Sequence, residues 1–212
     1  MTNVDIMTDR AKELEAAAKD IGDASLQEAK AAVAASCREY IRWADLFSRH
    51  LEKIMPEELH KFARAFSLTL LGHLPTRPGT CPFCIQYGRD RACTGCGYAA
   101  THGRCDADDS AFSLFIEAFQ ELGRTVYQDT TAPKEDNRYA KETKRQLFVS
   151  LKESSQQASR MQEKLPPLST LQLMEQKQIY IGHMIEHLPL SIFSDDVKKQ
   201  FLLLQDRLKG YW

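Results

Sequence analysis

The amino-acid sequence predicts an all-α protein, a helical bundle with one cysteine-rich metal-binding loop inserted between helices. Three observations carry this. Apolar residues recur at three- and four-residue intervals in most of the chain, as on one face of a helix. No alternating run of β-branched residues is long enough for a substantial sheet. Five of the six cysteines fall between Cys81 and Cys105.

Taken in order, Asp9 to Asp20 is rich in alanine, glutamate and lysine, all strong helix formers, and Gly22-Asp23 interrupts it. Ser25-Leu26-Gln27-Glu28 has the form of a capping box and is expected to open the next helix. Val33, Cys37, Tyr40, Ile41, Ala44 and Phe47 would share its buried face. Pro56 suits the first position of a further helix, with Leu59, Phe62, Ala63, Phe66 and Leu70 inward and Gly72 near its end. Leu74 to Thr80 holds two prolines and a glycine and cannot continue that helix.

Helix resumes where Asp108, Asp109 or Ser110 can cap it, with Ala111, Leu114, Phe115, Ala118, Phe119 and Leu122 as the buried stripe. Lys134 to Lys164 is helical in pattern but strongly polar. Leu147, Phe148 and Leu151 are its main anchors, so it is expected to extend from the body. Pro166-Pro167 precedes a helix capped near Ser169 or Thr170, which carries Leu173, Ile179, Tyr180, Met184 and Leu188. Ser194 starts the last helix, with Val197, Phe201, Leu204 and Leu208 inward and Gly210 at its end. The pattern divides into N-terminal helices (1–73), the cysteine-rich loop (74–107) and C-terminal helices (108–212), expected to form one compact domain.

The cysteine segment reads Cys81-Pro82-Phe83-Cys84, eight further residues, Cys93-Thr94-Gly95-Cys96, then His102-Gly103-Arg104-Cys105. Three pairs of candidate ligands thus share a two-residue gap. Such a turn brings two thiolates onto one ion, and two turns complete the tetrahedral set that zinc takes. A disulfide scaffold would instead spread its cysteines over a small secreted chain. The Cys-Pro-x-Cys and Cys-x-x-Cys-Gly-Tyr runs resemble the knuckle pair of zinc ribbons and rubredoxins, a local likeness from Cys81 to Tyr98. Cys105 and His102 are further candidates, since either could complete a four-ligand set. Zinc is the favoured ion, and a 4Fe–4S cluster on four of the five thiolates is the alternative.

Other motifs carry less. His183-Met184-Ile185-Glu186-His187 fits the inverted zinc-protease pattern, but no distant acidic ligand or second motif accompanies it. Glu57-Glu58-Leu59-His60 is half of a di-iron pattern with no second half, so His60 is expected on an exposed helix face. Cys37 reads as a buried apolar residue. Arg77, Arg89, Arg91 and Arg104 against Asp90 give the stretch from Leu74 to Cys105 a local charge of +3, with Phe83, Tyr87 and Tyr98 interleaved. That combination could grip phosphates and stack on bases. Across all 212 residues, however, 28 basic side chains face 29 acidic ones, so no global attraction to polyanions exists.

With no phosphate loop, nucleophile elbow or apolar run of about 20 residues, neither a common enzyme class nor a membrane span is indicated. The N-terminus lacks the pattern of a secretory signal, and the expectation is a cytoplasmic protein. The function expected is that of a metal-stabilised adaptor or accessory subunit that binds another macromolecule, a protein first and nucleic acid second. An iron–sulfur redox, cluster-carrier or sensor protein is the rival reading.

Overall fold

The computed structural model describes residues 3–88, 93–131 and 137–210, with the side chains of 3–10 and 137 left aside. Among the described residues there are nine α-helices and no strand: α1 (Asn3–Lys19), α2 (Asp23–Leu51), α3 (Leu59–Gly72), α4 (Pro82–Tyr87), α5 (Gly97–His102), α6 (Ala111–Gln128), α7 (Asn137–Lys164), α8 (Thr170–Glu186) and α9 (Asp195–Lys209). None of them is long and apolar enough to cross a membrane.

The two longest helices, α2 and α7, make the most extensive pairing in the molecule. They run antiparallel. The Tyr40 hydroxyl lies 2.6 Å from Ser154 Oγ, Lys30 Nζ donates to the Pro166 carbonyl at 2.9 Å, and Gln162 Nε2 donates to the Ala34 carbonyl at 3.3 Å. Along α2 the buried apolar residues are Ala29, Val33, Cys37, Tyr40, Ala44 and Leu51, with Lys30 buried beside them. Along α7 they are Ala140, Thr143, Leu147, Leu151, Ser154, Ala158 and Met161. Both sets follow steps of three and four from Ala29 to Ala44 and from Ala140 to Met161, as the seam of a two-helix coil does. The sequence reading of α7 as an extended polar helix is therefore corrected. Four of its seven inward positions are alanine, serine or threonine, which lowers its apolar count. Phe148, expected as an anchor, is 49% exposed.

Around this seam α3, α8, α6 and α9 complete one large apolar core, which draws on residues before and after the cysteine segment. Pro56 opens a 3₁₀ turn that leads into α3, as the proline predicts. Ser110 Oγ accepts from the Ser113 N–H at 3.0 Å and caps α6. Ser169 and Gln172 form a reciprocal capping box at the start of α8. The expected box at Ser25 does not form, because α2 begins earlier, at Asp23 behind Gly22. A tertiary contact sets that start: the Gly22 N–H donates to Gln86 Oε1 at 2.7 Å.

His60 is corrected from exposed to buried. Its Nε2 lies 2.7 Å from Asp129 Oδ1, and its ring meets Phe193 edge-on. Asp129 also accepts from the Thr131 N–H at 3.1 Å and from the Ser194 N–H at 3.0 Å, so one carboxylate ties α3, the end of α6 and the start of α9. Burial alone would raise its pKa, but the hydrogen bonds from Ser194 and Thr131 outweigh burial and hold it well below the usual carboxylate range. The resulting stabilisation is complete above the ordinary carboxylate pKa of about 4 and fades as pH falls below it. In urea titrations Asp129→Ala is expected to lose roughly 2–3 kcal/mol at pH 7, and the gap to the unaltered protein should narrow as pH is lowered through about 4.

Candidate metal centre

The cysteine segment folds as two short helices and not as an open loop. Cys81 stands immediately before α4 and Cys96 immediately before α5, where backbone N–H groups are left without helical partners. Neither thiol makes a capping bond of ordinary geometry. Yet the Cys84 N–H faces the Cys81 sulfur, and the Tyr98 and Ala99 N–H groups face the Cys96 sulfur, each favouring the thiolate. Between the helices Cys93 takes a left-handed φ of 51°, a strained value for a residue with a side chain, and Gly95 follows at 80°. Arg89 and Arg91 lie outside the described residues.

A second, smaller apolar core holds this segment. It joins Leu14, Ala18 and Ile21 of the α1 region to Phe83, Tyr98, Cys81 and Cys96, with Met174 of α8 beneath. Gln86 clamps the α1–α2 turn from both sides, accepting from the Gly22 N–H and donating to the Asp20 carbonyl at 2.9 Å. At Gly97 α1 comes so close that a Cβ would collide with the Ala17 methyl and lie 3.3 Å from its Cα.

The sulfurs gather. The Cys84 thiol interacts electrostatically with Cys81 and Cys105, and Cys96 lies within electrostatic range of Cys81, Cys84 and Cys93. Cys81, Cys84 and Cys105 line a cavity of about 10 Å³ with Tyr98, Phe112 and Met174, space on the order of one water. Among the described residues, no three or more His, Cys, Asp or Glu side chains are disposed to hold an ion as they stand. The sulfurs form a loose cluster of thiols. The interaction with Cys84 and burial raise the Cys81 pKa, opposed by Lys177 and the Cys84 N–H. The interaction with Cys105, then burial, pushes Cys84 up to about 12. Burial raises Cys96.

His102 does not join them. Its ring stacks on Tyr98 at 4.5 Å, and its Nδ1 is 2.7 Å from Thr101 Oγ. Of the aromatic residues that could have met nucleic acid, Phe83 and Tyr98 are buried, and Arg104 is paired with Asp106 at 2.7 Å. His183 is exposed, and His187 ends α8 at 3.6 Å from Glu153. Cys37 is buried in the main core, its thiol pushed up to about 11 by burial.

Sequence reasoning missed Lys177. It is wholly buried, donates from Nζ to the Thr80 carbonyl at 2.7 Å, and lies within electrostatic range of Cys81 and Cys84. The signal was present: Lys177 sits between Leu173 and Tyr180 on the inward stripe of α8, where an apolar residue belongs. Comparison with known proteins gives no match, whether to a family model, a curated protein or a solved structure.

Gly97→Ala tests the close docking of α1 on α5. The added methyl is expected to cost about 1–3 kcal/mol and to make the α1 segment cleavable by dilute protease, while the circular-dichroism helix signal of the main bundle persists.

Proposed function

We propose that this chain is a metal-stabilised helical adaptor or accessory subunit, with zinc held by thiolates of Cys81, Cys84, Cys96 and Cys105. The observation that carries the reading is that Cys81, Cys84 and Cys105 line one small cavity, with Cys96 in electrostatic range of Cys81 and Cys84. Four sulfurs make a complete zinc set, and a bound divalent ion would replace their protons. Cys93 stands beside Cys96 as a fifth thiol outside that set.

The metal's role in this reading is structural. Helices of six residues do not hold themselves in water, and the apolar cluster under them is small. The zinc–sulfur bonds would supply what the core does not. No nucleophile with an adjacent base accompanies the cysteines, so no catalytic step is assigned. A protein is the favoured partner class, because Trp43, Leu46 and Met55 on and after α2 are each 44–55% exposed, whereas the loop aromatics Phe83 and Tyr98 are turned inward.

Metal analysis of the purified chain decides the reading. About one zinc per chain is expected, without visible colour. The zinc should be lost in Cys84→Ser and kept in Cys37→Ser and Cys93→Ser. Iron with matching sulfide and a brown colour would replace zinc by a cluster, and a metal-free chain from anaerobic purification would overturn both.

A further inference from the structure

Lysine is rarely buried completely unless its charge is matched. Lys177 is 0% exposed, and among the described residues no Asp or Glu forms an ion pair with it. Its ammonium has three N–H donors. One goes to the Thr80 carbonyl at 2.7 Å, and the Met174 thioether, 4.0 Å away, is a weak second acceptor. The remaining groups in its electrostatic field are the Cys81 and Cys84 sulfurs. The Thr80 carbonyl and the two sulfurs belong to, or adjoin, the turn that carries the first cysteine pair, whereas Met174 is on α8 itself. Lys177 is thus the one charged side chain of α8 directed into the cysteine segment.

Neutral thiols give that ammonium little. Four thiolates on a divalent ion carry a net charge of −2, and a cation placed against two of them is then strongly favoured. We propose that Lys177 is the counter-ion of the cysteine centre, matching the charge of metal-bound Cys81 and Cys84 and coupling metal loading to the docking of the cysteine segment on α8. The inference rests on the metal-centre reading above.

The coupling has opposite signs in the two states. Without metal, the buried cation opposes docking of the segment on α8. With metal, it favours docking and tightens the site. Replacing it by an apolar side chain of similar length should move both at once. A residue that only filled space would weaken the loaded and the metal-free protein together.

The test compares the unaltered chain with Lys177→Met. Zinc affinity is read by competition with a chromophoric chelator, and stability of the metal-free form by its urea midpoint. The variant is expected to bind zinc at least about tenfold more weakly. Its metal-free midpoint should equal or exceed that of the unaltered chain. Unchanged affinity, or an affinity lost together with metal-free stability, overturns the proposal. Should Lys177→Met fail to fold, amine acetylation of the unaltered chain decides: Lys177 should be labelled more slowly with zinc bound than after chelation, when the segment opens more often. Equal labelling in both states overturns it. An unaltered chain that takes up neither zinc nor iron removes the centre itself, a result distinct from a metal-binding chain indifferent to Lys177.

Discussion

The antiparallel seam of α2 and α7 sets the position of everything else. Tyr40 against Ser154, Lys30 against the Pro166 carbonyl and Gln162 against the Ala34 carbonyl fix one register along most of its length. A shift of one residue would turn Val33, Leu147 and Leu151, each fully buried, away from the core. Burial of each such side chain contributes about 1.5–3 kcal/mol, and the polar pairs select this alignment among the apolar ones. Once the seam is fixed, α3 and α8 cover its flanks, and α6 with α9 close the far side. The Asp129 carboxylate pins three of these elements at one point.

The cysteine segment stands in a different energetic regime. It lies between α3 and α6 in sequence, yet it packs mainly on α1 and α2, with Met174 of α8 beneath, and forms a core of its own. That core has few aliphatic residues and includes two cysteines. The six-residue helices α4 and α5 satisfy local backbone groups but cannot nucleate alone. What holds them is a pair of specific contacts: the Gln86 clamp on the α1–α2 turn and the absence of a side chain at Gly97, where α1 packs closest. Each is a single interaction whose loss releases a whole segment, unlike the distributed packing of the bundle.

This difference explains what was legible in the sequence. Periodicity identified α2, α3, α6, α8 and α9, because a buried stripe of Leu, Phe and Val is local information, whereas α1 was read from its helix-forming composition only from Asp9 and begins at Asn3. Pro56, Ser110 and Ser169 marked starts correctly for the same reason. The Ser25 box failed because a side chain 64 residues away, Gln86, captured the Gly22 N–H first. Leu147 and Leu151 are buried anchors of α7 as read and Phe148 is not; the rest of the seam was missed because Ala, Ser and Thr carry little hydrophobic signal. His60 and Lys177 were hidden for a third reason. Each is a polar residue on an inward stripe, and its partner, Asp129 or the Cys81 turn, lies 69 or nearly 100 residues away. The crowding of cysteines was plain in the sequence, but which sulfurs would meet depended on α4 and α5, which glycine-rich spacing had suggested were loop.

Two polar groups buried in this molecule show how charge is managed on each side of it. In the bundle, Asp129 is surrounded by donors, its demand met by two backbone N–H groups and His60, so it stabilises the fold without any external component. Beside the cysteines, Lys177 has one strong acceptor and two thiols whose own burial favours their neutral forms. Protein atoms alone complete the first arrangement. In the second, burial disfavours the charged form of Lys177, and in the proposed centre thiolate charge on a bound metal ion would offset that. The complete burial of Lys177 and the gathering of the sulfurs both support that proposal.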